Sequence, residues 1–125
     1  MPMVLIVEAD DGLRGGLEDL LTTDGFRIAT AKDEQDAVNT ARRQRPDLIL
    51  VCLSELPHDL IPGIVRLRER AEINHEVPIV VFCIKAVAEG DEVAYGNHVY
   101  VISPDNFNHL RRFLHRLLPA MSIHT

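Results

Sequence analysis

Residues 45–57 read RPDLILVCLSELP. Pro46 stops any helix that precedes it, and the six residues 48–53 that follow are apolar without a break. A run that short and that continuous suits a strand buried on both faces, the kind that parallel sheets contain. Comparable apolar runs stand at 3–7, 26–30, 79–84 and 99–102, so the chain offers five strands.

Between these runs the apolar spacing becomes helical. Leu13, Leu17, Leu20 and Leu21 form one stripe that begins beside Asp10 and Asp11, and Gly25 supplies the C-terminal cap. Ala37, Val38 and Ala41 mark a second helix that ends ahead of Pro46. A third is expected to open at Pro62 and to carry Ile64, Val65 and Leu67. The last holds Phe107, Leu110, Phe113, Leu114, Leu117 and Leu118 and stops before Pro119. The interval 85–95 is expected as a short fourth helix, weakened by Gly90. Strand and helix alternating throughout imply an α/β fold, with a parallel sheet, right-handed crossovers and helices on both faces. One domain over residues 1–119 and a loose tail over 120–125 complete the expected organisation.

Composition narrows the function. Of 125 residues, 46% are hydrophobic and 26% charged, as in ordinary globular domains. Nineteen acids against 13 bases leave a net charge of −6, which disfavours nucleic acid as a partner. The N-terminal apolar run is too short for a signal peptide, and no stretch has the length of a membrane span. A cytoplasmic protein is expected, and Cys52 and Cys83 suit a reducing compartment. No helix carries two histidines four residues apart, so no metal site is expected.

In an open parallel sheet, ligands meet the carboxyl ends of the strands. Glu8, Ala9, Asp10 and Asp11 follow the first strand, Cys52 and Cys83 end the third and fourth, and Ser103 follows the fifth. Asp10 or Asp11 is expected to cap the first helix.

The runs VLIVEADDGLR (4–14), RPDLILVCLSELP (45–57), VPIVVFCI (77–84) and YVISP (100–104) together resemble the receiver domain of bacterial two-component response regulators. The resemblance implies a CheY-like, flavodoxin-like (βα)5 sandwich of three layers, with a five-stranded parallel sheet ordered 2-1-3-4-5. It also implies a phosphoryl pocket, and there this chain departs from the pattern. Glu8 stands at the first position of the acid pair and Ala9 at the second. Cys52 stands at the phosphoacceptor aspartate, Cys83 at the hydroxyl residue and Ser103 at the lysine, while Tyr100 keeps the switch-aromatic position. Pro57 comes about one residue late, and the segment from Cys83 to Tyr100 is about two residues short. By the same resemblance the Ser103–Pro104 peptide is expected to be cis.

A carboxylate nucleophile and hard oxygen ligands for Mg²⁺ are both replaced, so Mg²⁺ binding is expected to be weak or absent and no other cofactor is implied. The expected function is a degenerate pseudo-receiver: a non-enzymatic module of two-component signalling that acts by phosphorylation-independent protein–protein interaction. Its partners would be a histidine kinase or an output protein, with a homodimer through the fourth helix, fifth strand and fifth helix also in view. The basic residues Arg111, Arg112 and Arg116 mark the expected partner face. Two alternatives remain at this level: a thiol redox sensor built on Cys52 and Cys83, and an unusual but phosphorylatable regulator.

Overall fold

A computed structural model of the chain describes residues 1–53, 57–83, 92–103 and 106–118. The expected five parallel strands are present: β1 (Met3–Val7), β2 (Arg27–Ala31), β3 (Leu48–Leu53), β4 (Ile79–Cys83) and, last in the chain, β6 (Val99–Ile102). A further short strand, β5 (Glu92–Ala94), pairs antiparallel with β6 at one edge, and the sheet order is β2-β1-β3-β4-β6-β5. Four helices are described: α1 (Asp11–Thr23), α2 (Glu34–Gln44), α3 (Leu60–Arg70) and α4 (Phe107–Leu117).

Side-chain alternation along β3 builds the two cores. Leu48, Leu50 and Cys52 face one cluster, where Leu17 and Leu21 of α1 meet Leu110, Phe113 and Leu114 of α4. Ile49, Val51 and Leu53 face the other, closed by Ala37, Val38 and Ala41 of α2 and by Ile64 and Leu67 of α3. Burial on both faces is why these strands read as unbroken apolar runs. The result is three layers, with α1 and α4 on one side of the sheet and α2 and α3 on the other.

Helix starts follow their capping residues. The side chains of Asp10, Asp33 and Asn106 accept from the backbone N–H groups of Leu13, Asp36 and His109 at 2.8–2.9 Å. Each such cap contributes about 1 kcal/mol. α3 opens at Leu60, two residues ahead of the expected Pro62, with Asp59 as N-cap. Pro62 still lies in the first turn, where a missing N–H breaks no helical bond. Gly25 follows the C-cap of α1 with φ +97°, as its position suggested.

The expected helix over 85–95 is corrected at its C-terminal end, where the chain forms β5. Gly96, Asn97 and His98 all take positive φ and turn the chain tightly. Tyr95 N–H then donates to the Val99 carbonyl at 2.9 Å, zipping β5 onto β6. A Gly-Asn pair between two short β segments is a hairpin signal, and it overrides the weak helical spacing. The all-parallel, five-stranded sheet is thereby corrected to six strands with one antiparallel edge. The remainder of the expected fourth helix, the Ser103–Pro104 peptide and the tail lie outside the described residues.

Candidate functional site

The carboxyl ends of β1 and β3 open into a cleft of about 460 Å³ between α2 and α3. Glu8, Ala9 and Cys52 are in its lining, and Lys32, Asp59 and Arg66 are among its charged residues. Three of the expected site residues are therefore brought together. Asp10 is adjacent but turned away: its carboxylate caps α1, while its N–H donates to Glu8 Oε2 at 3.1 Å.

Cys83 and Ser103 are not part of this lining. Both are almost fully buried, at 0% and 3% exposure, whereas Cys52 retains 8%. The parallel register sets Cys52 opposite Phe82 and Cys83 opposite Leu53. Cys52 therefore belongs to the α1/α4 core and Cys83 to the α2/α3 core. The two thiols lie at the carboxyl ends of adjacent strands, Cys83 last in β4 and Cys52 one residue short of the end of β3, and they point to opposite faces of the sheet. A disulfide needs Cβ atoms that converge to about 4 Å, so this arrangement does not assemble a redox pair. Both cysteines are free, and the thiol-sensor alternative loses its structural basis.

Burial, reinforced by the charge of Glu8, pushes the Cys52 thiol up to about 12. At neutral pH it is a protonated, weakly nucleophilic group. Around the rim, Glu34 at the first position of α2 accepts both Arg66 Nε and Nη2, at 3.0 and 2.8 Å, and Arg70 Nη1 at 2.6 Å. The Arg66 bonds, aided by Arg70 and only partly opposed by burial, hold the Glu34 carboxyl at about 2. This arginine pair ties α3 to the start of α2 across the cleft.

Tyr100 is half-buried and packs edge-on against Phe113 of α4, with ring centroids 5.7 Å apart. The basic stripe of α4 is less available than its sequence suggests. Arg111 bonds to Asp24 at the end of α1, and His115 Nε2 lies 2.7 Å from the same carboxylate. Arg116 donates to Glu92 of β5 at 2.6 Å, and His109 Nε2 approaches that carboxylate at 2.8 Å. Each acid thus takes one arginine and one histidine from α4. The Arg111 hydrogen bond outweighs burial and holds the Asp24 carboxyl below its usual range. For Glu92, burial acts upward, but the His109 and Arg116 bonds prevail and lower it. Arg112 alone of the three arginines is exposed with no ion pair among the described residues. Nothing local in the sequence marks Asp24 or Glu92, which lie far along the chain from their partners.

Among the described residues, no helix is long and apolar enough to cross a membrane, and no group of three acidic, His or Cys side chains is placed to hold a metal ion.

Known proteins share this frame. The AfsQ1 transcriptional regulatory protein of Streptomyces coelicolor is 32% identical over 112 residues, covering 83% of this chain and 45% of that protein. The chain therefore spans less than half the length of this curated relative. The non-phosphorylated receiver domain of HemR from Leptospira biflexa superposes with a TM-score of 0.61 at 27% identity, covering 98% of this chain and 95% of that one. TrrA of Thermotoga maritima, solved in complex with Mg(2+)-BeF, matches with a TM-score of 0.65 at 20% identity, covering 94% and 99%. The model of the response regulator receiver domain matches residues 4–102, and the chain belongs to that family.

Proposed function

We propose that this receiver domain works in two-component signalling through protein–protein contacts that do not depend on aspartyl phosphorylation, as a pseudo-receiver rather than an enzyme. The observation that carries the reading is Cys52: the penultimate residue of β3, in the lining of the site, is a buried, protonated thiol where a phosphoacceptor carboxylate is required. Ala9, Cys83 and Ser103 stand at the other pocket positions, and of the expected pocket residues Glu8 is the acid in the cleft lining.

Receiver domains typically bind Mg²⁺, but these residues fit it poorly. The ion asks for near-octahedral hard oxygen ligands, and beside Glu8 an alanine and a thiol stand where two carboxylates are expected. A histidine kinase or an output protein is the proposed partner, in the cytoplasm, over a single domain spanning 1–119. A homodimer would use the face of the expected fourth helix, β6 and α4, where Arg112 has no ion pair among the described residues.

Beryllofluoride and acetyl phosphate, each with Mg²⁺, test the reading by amide NMR. The expected result is an unchanged spectrum around residues 8–9, 52–53 and 100–103. Saturable shifts centred there would overturn it.

A further inference from the structure

The cleft between α2 and α3 has the size of a small-molecule site, since such clefts begin at about 300 Å³. Val51 and Leu53 of β3, Ala37 of α2 and Ile64 of α3 give it apolar walls from three elements. Its charges are unevenly matched. Glu34 is taken by Arg66 and Arg70, and Arg66 also faces Asp59. Lys32 is the other cation of the lining, and Glu8 and Asp33 are its remaining acids.

Glu8 is the informative residue. It is half-buried in the lining, and among the described residues its carboxylate meets no cation, only the Asp10 N–H. The nearby guanidinium of Arg14 bonds to Asp11 and to the Glu8 and Ala9 carbonyls instead. Close enough to feel its charge is Cys52, 8% exposed. A small hard cation would find too few oxygens here. An ammonium group on an apolar body asks for one counter-charge and an apolar wall, and the cleft offers both.

We propose that this cleft binds an organic cation, a protonated amine on an apolar body, with Glu8 as its counter-ion and Val51, Leu53 and Ile64 as its walls. The inference goes beyond the functional reading above and does not rest on the identity of any protein partner.

Phenethylamine and its acidic counterpart 3-phenylpropionate serve as probes, titrated into the full chain and followed by amide NMR. The amine is expected to shift residues 7–9 and 51–53 saturably and to bind at least about fivefold more tightly than the acid, as opposite charges at the Glu8 carboxylate require. Glu8→Gln should weaken the amine by a similar factor of about five. Gly63→Leu fills the cleft from α3, where an added Cβ meets only Arg66 Nη2 at 3.7 Å, and should abolish binding while leaving the fold intact. Equal binding of amine and acid would overturn the proposal, as would an unchanged affinity in Glu8→Gln, a spectrum that does not respond, or the same shifts produced more readily by Mg²⁺ alone. Acetyl phosphate on the same sample reports separately on phosphorylation, so either reading can fail without the other.

Discussion

Cys52 and Cys83 lie near the carboxyl ends of neighbouring strands, one residue out of register, so their side chains leave opposite faces of the sheet. Both thiols are therefore expected to stay reduced and separate under mild oxidation. Intact mass after diamide treatment followed by denaturing alkylation should show two alkyl groups. A loss of two hydrogens with no alkylation would disprove the packing described for these residues. With its thiol pushed up to about 12, Cys52 should also react with iodoacetamide far more slowly in the folded protein than in urea.

Glu34 carries a pH-dependent increment of stability. Its carboxyl titrates near 2 in the fold against a usual value of 4.5, so the fold favours the ionised form. The increment is fully present above about 4.5 and fades as pH falls towards 2. Because the three side chains are about a third to a half exposed, solvent limits the network to about 0.5–1 kcal/mol. Urea midpoints should place Glu34→Gln below the parent at pH 7 and level with it at pH 2. A gap that persists unchanged in acid would refute the assignment.

Asp24 anchors α4 to α1 from a more protected position, with 13% of its side chain exposed. Its replacement by alanine is expected to destabilise the domain by about 1–2 kcal/mol, because Arg111, whose buried Nε has no partner among the described residues, then loses its counter-ion. A double-mutant cycle with Arg111→Ala measures the coupling. Strict additivity would show that the pair is only an exposed contact. Since the Asp24 carboxyl is lowered in the fold, this contribution too should be lost as pH drops below the ordinary carboxylate range.

The glycines of the chain should separate into two classes. Gly15 and Gly16 lie inside α1 with open space where a Cβ would go, so alanine at either should raise stability by about 0.5–1 kcal/mol. Gly96 has equally open space but φ +83°, and alanine there should lower stability by about 1 kcal/mol through backbone strain alone. Thermal unfolding of the three variants checks the contrast. A destabilised Gly16→Ala would mean that α1 is packed differently at that turn.

Surface chemistry on α4 is best probed at Arg112. Alanine at Arg111 disturbs the bond to Asp24, and alanine at Arg116 disturbs the bond to Glu92 together with the stacking on Phe113 at 5.2 Å. Arg112→Ala should leave the unfolding midpoint within about 0.5 kcal/mol of the parent while reducing capture of a partner that uses this face. Unchanged recovery of that partner would remove α4 from the binding surface.

Legibility differed by the range of the interactions involved. β1, β3 and β4 were readable because burial on both faces leaves an unbroken apolar run, and the cap Asp10 because it acts within three residues. β5 was hidden because three residues, Glu-Val-Ala, carry no period of their own and depend on the turn at Gly96–His98. The pairing of Glu8 with the Cys52 end of β3 could be placed from the fold. The acid–base ties of Asp24 and Glu92 could not, since they join residues up to 91 positions apart through side chains that look like ordinary surface charge.

β3 divides its six residues evenly between two cores, which makes parity a property of the strand. Inserting or deleting one residue between 48 and 53 would send Leu50 and Cys52 into the half-core built for Val51 and Leu53, and the reverse. Loops beyond either end can change length without that exchange. Change at position 52 is thus confined to substitution: the strand fixes where a side chain is presented and leaves open only which one.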